Sequence, residues 1–379
     1  MIIEQQYWTA DAGWQNELAT RLDGNASLVL LFGATHVLGN PARMTEVRTR
    51  YPGATMVGCS TSGEICGTRV RDDSLVVTAI RFEHTAIQLA QTVIGENNDS
   101  LSAGKRLAQA FSRERLVHVV VLSDGLKVNG SELVRGLREN LPANVAVTGG
   151  LAGDGANFKQ TQVCANGKPA EGLVAALGFY GDHIKVGYGS LGGWDPFGAE
   201  RLITRSNGNV LYELDGRSAL ELYKEYLGEH AAGLPSTALL FPLALRTGKE
   251  DYSLVRTVLS VNESEQSMTF AGDMPEGSYA RLMKANFDRL IDGAAGAAHA
   301  SYETLGSTEP ELALLISCVG RKLVLKQRVE EEVESVRGVL GENTVLTGFY
   351  SYGEICPHSA VTPCELHNQT MTITTFSER

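Results

Sequence analysis

The chain has no excess of basic residues, because 33 Lys and Arg stand against 44 Asp and Glu and give a net charge of -11. Proteins that bind nucleic acid or an anionic membrane surface use surplus Lys and Arg to neutralise phosphates, so neither partner is expected. The sequence also lacks an apolar run near the roughly 18 residues that span a bilayer. Its first residues include acids and do not resemble a signal peptide. These absences predict a protein that stays in the cytoplasm.

Familiar catalytic motifs are missing as well. The sequence contains neither a G-x-S-x-G nucleophile elbow nor a phosphate-binding G-x4-G-K-[ST] loop. Six cysteines in a chain of 379 residues without a secretion signal do not predict disulfides, and most are expected to be small buried side chains. We therefore expect a protein that is not an enzyme.

Short apolar strands alternate with amphipathic helices, which indicates an α/β fold. A chain of 379 residues is too long for one ordinary core, so two domains or a duplicated domain are expected. The pattern changes near Ser206, and the sequence therefore predicts one domain over residues 1–205 and another over residues 206–379.

An internal repeat supports duplication. The motif Gly-x4-Gly-Glu-Ile-Cys occurs at Gly58–Cys66 and again at Gly348–Cys356, each time after a strand, a helix and a second strand. A weaker copy lies between them and ends at Gly150–Gly155. The sequence thus predicts mixed β-sheets flanked by helices, built from repeated βαβ-plus-strand units. A four-layer αββα arrangement, with two sheets face to face, is consistent with this pattern.

The repeated motif places Glu64 and Glu354 at equivalent positions. If the repeats face each other, the two carboxyl groups could form a pair capable of acid–base chemistry. The alternative is that each carboxyl group braces its own turn.

The C-terminal segment is the richest in metal-binding side chains. Cys356, His358, Cys364 and His367 lie within twelve residues, and their soft donors would suit a zinc ion or the iron of haem. His367 is the best single ligand candidate, because it precedes a strand and is followed by Asn368, an amide that can fix its tautomer.

Three further residues complete the candidate site. Tyr350 and Tyr352 alternate along one strand and are predicted to share a face, where they could stack on a flat ligand or fill the core. Arg256 interrupts an apolar run, so it is expected to be buried beside an acid or to point into a polar pocket that takes a carboxylate.

Taken in order, these motifs resemble the FIST family of sensory proteins over nearly the whole chain. The segments that match are Gly58–Glu64, Gly149–Asp154, Leu254–Leu259, Phe270–Gly277, Gly348–Glu354 and Leu366–Thr370.

The resemblance implies signal transduction through the sensing of a small ligand. A chain of this length is similar to the NosP branch, whose members bind haem, sense nitric oxide and regulate a histidine kinase. A histidine kinase or similar signalling enzyme is therefore the expected partner, haem the expected cofactor, and a homodimer an open alternative. Other members imply an amino-acid-like metabolite without haem, to which Arg256 is suited, and the cysteines and histidines leave a zinc-stabilised interaction protein open.

Overall fold

The computed structural model describes the chain except for residues 19–21, 96–98, 235, 247–253, 307 and 359–361. It confirms the predicted fold class, with mixed β-sheets flanked by helices. Among the described helices, none is both long and apolar enough to pass through a bilayer. Several helices begin at a side chain that accepts a hydrogen bond from an N–H of the first turn, which would otherwise lack a partner. These capping residues are Asn40, Asp99, Asn129, Ser218 and Asn286.

The first repeat follows an N-terminal hairpin and is itself followed by a strand and a helix. In chain order the elements are β1 (Ile2–Thr9), β2 (Gly13–Leu18), β3 (Leu28–Gly33), α1 (Thr35–Leu38), α2 (Pro41–Arg50), β4 (Thr55–Ser60), β5 (Glu64–Cys66), β6 (Arg69–Arg71), β7 (Ser74–Arg81), β8 (Ala86–Val93) and α3 (Ser100–Ala110). The repeat proper runs from β3 to β7.

The second repeat has the same order of strand, helix, strand, hairpin and returning strand. Its elements, with the strand that follows, are β9 (Leu116–Ser123), α4 (Gly130–Arg138), β10 (Ala146–Leu151), β11 (Val163–Ala165), β12 (Lys168–Ala170), β13 (Leu173–Tyr180) and β14 (Ile184–Leu191).

A separate segment then interrupts the series of repeats. Its elements are β15 (Asp195–Asn207), β16 (Val210–Leu214), β17 (Arg217–Ser218), α5 (Ala219–Leu227), the 3-10 turns Gly228–Gly233 and Ser236–Leu240, β18 (Leu243–Arg246), β19 (Leu254–Arg256), β20 (Val258–Asn262), β21 (Ser267–Phe270) and β22 (Tyr279–Lys284). We call this segment the insert.

The third repeat completes the chain, after a long helix. These last elements are α6 (Phe287–Thr304), β23 (Leu312–Cys318), α7 (Val319–Leu325), the 3-10 turn Lys326–Arg328, α8 (Val329–Leu340), β24 (Val345–Ser351), β25 (Gly353–Pro357), β26 (Cys364–His367) and β27 (Met371–Glu378).

The three repeats exchange their hairpins in a cycle. The first sheet has the order β12-β11-β4-β3-β7-β1-β2, the second β26-β25-β10-β9-β13-β8 and the third β14-β27-β23-β24-β5-β6. The hairpin of the first repeat thus joins the third sheet, that of the second joins the first sheet, and that of the third joins the second sheet. In each sheet the two strands of the βαβ unit are parallel and the exchanged hairpin is antiparallel to them.

One glycine per repeat makes the parallel pairs possible. Each lies beside the first strand of its repeat, where an added Cβ would come within 1.8 Å of a main-chain carbonyl oxygen of that strand. The pairs are Gly58 with Leu31, Gly149 with Val121 and Gly348 with Leu315. The predicted equivalence of the first and last glycines is therefore confirmed, but the second repeat uses Gly149 and not Gly150, because Gly149 holds the equivalent register.

The inner faces of the three sheets share one core. Along β3, Leu28, Leu30 and Phe32 face this core, whereas Val29 and Leu31 face the helices, as the two-residue period of a strand requires. Helix α2 covers the first sheet, α3 and α4 cover the second, and α6 and α8 cover the third. Three sheets around one core replace the two facing sheets of the four-layer alternative.

The insert has its own sheet, of order β19-β18-β22-β15-β16-β21-β20, and its own apolar core. Residue 206 lies within β15, and residues of the third repeat such as Leu314 and Phe376 belong to the shared core of the first two repeats. The C-terminal third of the chain thus returns to complete the core that the first two repeats share.

Candidate functional site

Crevices open near the ends of the parallel strand pairs, where α/β sheets commonly bind ligands. One of them, which we call the first crevice, has a volume of about 760 Å³ and lies beside the ends of β3 and β4. Its lining comes from the first repeat and from the loop before β11, and includes His36, Thr61, Ser62, Glu64, Asp72, Asp73, Asp154, Lys159 and Gln162. Sequence reasoning named Glu64 only.

Glu64 and Glu354 are equivalent but do not form a pair. Glu64 accepts hydrogen bonds from the hydroxyl of Thr61 and from the N–H (3.2 Å) and hydroxyl (2.6 Å) of Ser74. Glu354 accepts from the hydroxyl of Ser351 at 2.5 Å and from the N–H and hydroxyl of Thr370 at 3.2 and 3.0 Å. Each carboxyl group braces its own turn in a different sheet, which is one of the two alternatives that the sequence left open.

Burial controls the protonation of both carboxyl groups. It raises the pKa of Glu64 to about 7 and that of Glu354 to about 8, although the hydroxyl donors act in the opposite direction. At neutral pH the carboxyl group of Glu64 is therefore about half protonated, and that of Glu354 is largely protonated and hence neutral. The second repeat has no carboxyl group here, because Val163 holds the equivalent register on β11.

Arg256 lies inside the molecule and faces a polar crevice, as predicted. Its side chain is buried, and its guanidinium donates to the carbonyl oxygens of Leu366 (2.9 Å), Val255 (3.3 Å) and Asp273 (3.3 Å). Burial lowers the pKa of Arg256 to about 10, an effect that the carboxylates of Glu365 and Asp273 partly offset. The guanidinium remains charged at neutral pH.

The crevice beside Arg256, which we call the Arg256 crevice, has a volume of about 200 Å³. It lies between α4 and the insert, and its polar lining comprises Ser131, Arg135, Arg138, Arg256, Asp273 and Glu365. Three arginines and two acidic residues therefore line this crevice at the boundary between the repeats and the insert.

His367 is a buried neutral imidazole. Its Nε2 lies 2.9 Å from the carbonyl oxygen of Cys356, which can only accept, so Nε2 carries the proton and Nδ1 the lone pair. Burial lowers the pKa of His367 to about 4. The ring lines a crevice of about 270 Å³, the His367 crevice, together with His358, Trp194 and Met283.

Of the other predicted metal ligands, His358 lines the same crevice as His367, but the two cysteine thiols do not converge there. Strand pairing sets Cys356 opposite Glu365 and Pro357 opposite Cys364, so the two thiols belong to alternate faces of the hairpin. The Cys364 thiol donates to the carbonyl of Val147 at 3.1 Å in the core beneath α4. Over the part of the chain that the structure describes, no group of three or more His, Cys, Asp or Glu side chains could hold a metal ion. The four-ligand zinc site is therefore wrong.

The two tyrosines do not form one aromatic wall. Tyr350 is fully buried under α8 and donates its hydroxyl to Glu332 at 2.6 Å. Tyr352 follows the end of β24, donates to Asp154 and stacks on Phe158 with ring centroids 4.5 Å apart. They separate because the chain leaves the third sheet between them and enters the second.

Asn368 is also fully buried, in the turn between β26 and β27. Neither its amide oxygen nor its amide nitrogen has a hydrogen-bond partner among the described residues. The amide therefore does not fix the His367 tautomer, which the Cys356 carbonyl sets instead.

A buried ion pair beneath Tyr350 was not foreseen from the sequence. Arg321 donates to Glu332 at 2.8 and 3.0 Å, and both side chains are fully buried. The guanidinium also donates to the carbonyls of Gly192 and Leu290, which ties the third repeat to the start of the insert and to α6. The position of Arg321 directly after a buried strand and a glycine is the only signal that the sequence offers.

Two family models and a curated relative match the sequence of this chain. Residues 27–217 match the model of the FIST N domain, and residues 219–357 match that of the FIST C domain. An uncharacterised protein of Methanocaldococcus jannaschii is 23% identical over 342 residues, which are 82% of this chain and 63% of the relative. The chain thus spans less than two thirds of that relative's length.

Among solved structures, a cyanuric acid hydrolase from A. caulinodans covers 100% of this chain and 99% of its own, with a TM-score of 0.38 and 8% identity. A likeness at this level says nothing about activity. The two family models together cover most of the sequence, including Arg256, Tyr350, Tyr352 and Glu354. This chain belongs to the FIST family of sensory proteins.

Proposed function

We propose that this protein is a signal-transduction sensor that binds a small amino-acid-like molecule in the Arg256 crevice and regulates a separate signalling enzyme such as a histidine kinase. One observation favours an amino-acid-like ligand over the other ligand classes. A buried guanidinium, Arg256, faces a crevice while its hydrogen bonds go to main-chain carbonyls and not to a carboxylate. The FIST family supports the signalling role.

The chemistry of the crevice suits a molecule with charges of both signs. A guanidinium binds a carboxylate through two parallel hydrogen bonds, and a buried charge gains most from such a partner. Arg138 on α4 adds a second cation beside the same crevice, whereas Asp273 and Glu365 are acceptors for an ammonium group. An α-amino acid or a related zwitterion presents both a carboxylate and an ammonium group.

Crevice size favours a small metabolite. A volume of about 200 Å³ lies below the range of roughly 300–1,000 Å³ that holds drug-sized ligands. The crevice also joins two folded units, since Ser131 and Arg138 belong to the second repeat and Arg256 and Asp273 belong to the insert. A ligand that contacts both units favours the arrangement in which they are close, and this differential binding is what a sensor needs to influence a partner.

The test compares Arg256→Gln with a matched arginine. Arg281 on the neighbouring strand β22 also donates to a carbonyl, that of Gly198 at 2.9 Å, but lines none of the crevices described above. We expect a calorimetric screen of amino acids and dicarboxylates to identify a ligand whose affinity falls about tenfold or more in Arg256→Gln. Arg281→Gln should bind it as the wild type does.

Two further variants keep the test decisive if Arg256→Gln fails to fold. Arg256→Lys retains the charge but not the two-pronged geometry, and Arg138→Gln alters an exposed residue on the rim of the same crevice. Both should weaken binding. Undiminished affinity in every crevice variant that folds would contradict the proposal.

The second candidate is a haem protein that senses nitric oxide and regulates a histidine kinase. It is favoured by His367, whose Nε2–H is fixed on the Cys356 carbonyl and whose Nδ1 has the lone pair that iron requires. His358 and Met283 supply further donors to the same crevice. The donor set fits haem iron, but the volume of about 270 Å³ is small for a macrocycle, so haem would have to displace the walls.

An absorption spectrum of protein purified from haem-replete cells, with metal analysis, tests this candidate. The haem candidate would be supported if the wild type shows a Soret band and a nitric oxide response and if His367→Ala loses both. A Soret band unchanged in that variant would remove His367 as the ligand. If the purified protein contains no haem and binds an amino acid through Arg256, the haem candidate is excluded and the first candidate is supported.

A further inference from the structure

The first crevice has no role in the function proposed above, although it is the largest cavity described. Its volume of about 760 Å³ falls within the range of small-molecule sites, and it lies at the strand ends where α/β sheets bind ligands. We propose that the first crevice is a second binding site, which takes a small molecule bearing a primary amine through Glu64.

The other two repeats show what fills the equivalent space. Beside the second sheet, the matching position is partly covered by the insert, whose Phe270, Ala271 and Gly272 contribute to a remaining crevice of about 240 Å³. In the third repeat, the connection after the first strand is the longer helix α7, whose residues are mostly buried. In the first repeat the corresponding position directly after the first strand holds the four-residue helix α1, and the space beside it stays open.

Buried acceptors in the first crevice point to a ligand that donates hydrogen bonds. The carboxyl group of Glu64 is 1% exposed and lines the crevice. The amide oxygen of Gln162 lines it too, and this buried atom has no partner among the described residues. An ammonium group offers three donors and a charge that matches the carboxylate.

The chain already holds one ammonium group at the edge of this crevice. Lys322 on α7 donates from Nζ to the carbonyl oxygen of Ser62 at 2.8 Å and to the carboxylate of Asp72. Both acceptors line the first crevice. The same wall is therefore able to bind a second ammonium group deeper in, against Glu64.

A buried carboxyl group at this position is not a requirement of the fold. In the second repeat Val163 holds the register of Glu64, and Leu173 holds that of Ser74, so an apolar pair replaces the acid and its hydroxyl donor. Glu354 in the third repeat has the same type of hydroxyl donors as Glu64 but lines none of the crevices described. Glu64 and Glu354 are thus equivalent acids with similar donors, but only Glu64 lines one of these crevices.

Binding should depend on pH, because the ligand prefers ionised Glu64. Burial and the nearby Asp72 raise the pKa of Glu64 to about 7, while Lys322 opposes them. Thr61 and Ser74 are the neutral donors that contact the carboxyl group. The other titratable or charged side chains that line the crevice are His36, Asp73, Asp154 and Lys159. Affinity for an amine should therefore increase between pH 6 and pH 8, as the fraction of ionised Glu64 increases.

The experiment is calorimetry with ethanolamine, putrescine and spermidine as probes, and with acetate and propanediol as controls. We expect at least one amine to bind the full-length protein, and its affinity to fall about tenfold or more in Glu64→Gln. Glu354→Gln should leave that affinity unchanged. It is the matched control, because it makes the same substitution at the equivalent position of another repeat, away from the first crevice. Arg256→Gln should leave it unchanged too, which separates this site from the proposed sensing site.

Three outcomes would overturn the proposal: no amine binds, acetate or propanediol binds equally well, or Glu64→Gln and Glu354→Gln weaken binding to the same extent. If Glu64→Gln does not fold, the pH profile of the wild type decides. An affinity that does not change between pH 6 and pH 8 would exclude Glu64 as the group that holds the amine.

Discussion

Replacing Glu354 by glutamine should remove a large part of the pH dependence of stability. Burial raises the pKa of Glu354 from 4.5 to about 8, so the folded protein binds more protons than the unfolded chain between these values. The stabilisation by the protonated form is fully present below pH 4.5 and is lost as the pH rises through about 8. Each pH unit in this window is worth about 1.4 kcal/mol, so stability should fall by about 3 kcal/mol between pH 5 and pH 8 from this group alone.

Glutamine can replace the protonated acid because the surrounding hydroxyl groups can rotate. The hydroxyl of Ser351 also lies 3.2 Å from the carbonyl of Ser317, so it can donate there and accept from the new amide. The N–H and hydroxyl of Thr370 then donate to the amide oxygen, as they do to Glu354. Glu354→Gln should therefore fold, and its stability relative to wild type should increase with pH.

The assay is urea unfolding of wild type, Glu354→Gln and Glu334→Gln at pH 5, 6, 7 and 8. Glu334 lies on the exposed side of α8, so its replacement should leave the wild-type pH profile unchanged. Other buried groups such as His367 titrate identically in all three proteins and cancel in the difference. Equal pH dependence of Glu354→Gln and wild type would refute the assignment of a neutral buried acid.

Three other predictions test the packing. Glu332→Gln should lower the free energy of unfolding by about 3–5 kcal/mol in urea titrations, because Arg321 would keep a buried charge without its partner, and adding Arg321→Met should recover most of the loss. Gly348→Ala should prevent cooperative thermal unfolding or cost more than about 4 kcal/mol, since its Cβ would lie 1.8 Å from the carbonyl of Leu315. Gly338→Ala on α8, where an added Cβ meets nothing within 4 Å, should instead stabilise the protein by about 0.5–1 kcal/mol.

The sequence revealed the repeats because their glycines and acids repeat, yet it did not reveal how the repeats pair. The motif around Gly58 and Gly348 identifies a strand that approaches its neighbour closely, a local property that a single repeat determines. The exchange of hairpins between sheets depends on which of three similar edges each hairpin meets, and residues within one repeat do not encode that choice. The shared core of three sheets was therefore missed, and the facing-sheet alternative was wrong.

The surroundings of Arg256 could be predicted because this residue conflicts with its neighbours in the sequence. Arg256 stands in an apolar run of the sequence, which predicts that it is buried. Because a buried charge needs a polar partner, the sequence also predicts polar groups around its guanidinium. The grouping of Cys364 with His367 failed because closeness along the chain does not decide which face of a hairpin a side chain occupies. The first crevice could not be predicted, since its walls come from residues almost a hundred positions apart.

The differences among the repeats are more informative about function than their similarities. Glu64, Val163 and Glu354 occupy one position of a shared framework, so the framework itself tolerates either an ionisable or an apolar side chain there. Burying a carboxyl group costs free energy that burying a valine does not. Glu354 is held inside the core by its hydroxyl donors, whereas Glu64 lies beside an open crevice, where a bound ligand could offset this cost. The same reasoning applies to Arg256, which lies where the insert meets the repeats and where no repeat has an equivalent. Both proposed sites thus occur where the threefold pattern is broken, and these are the places where a change in one unit can be sensed by another.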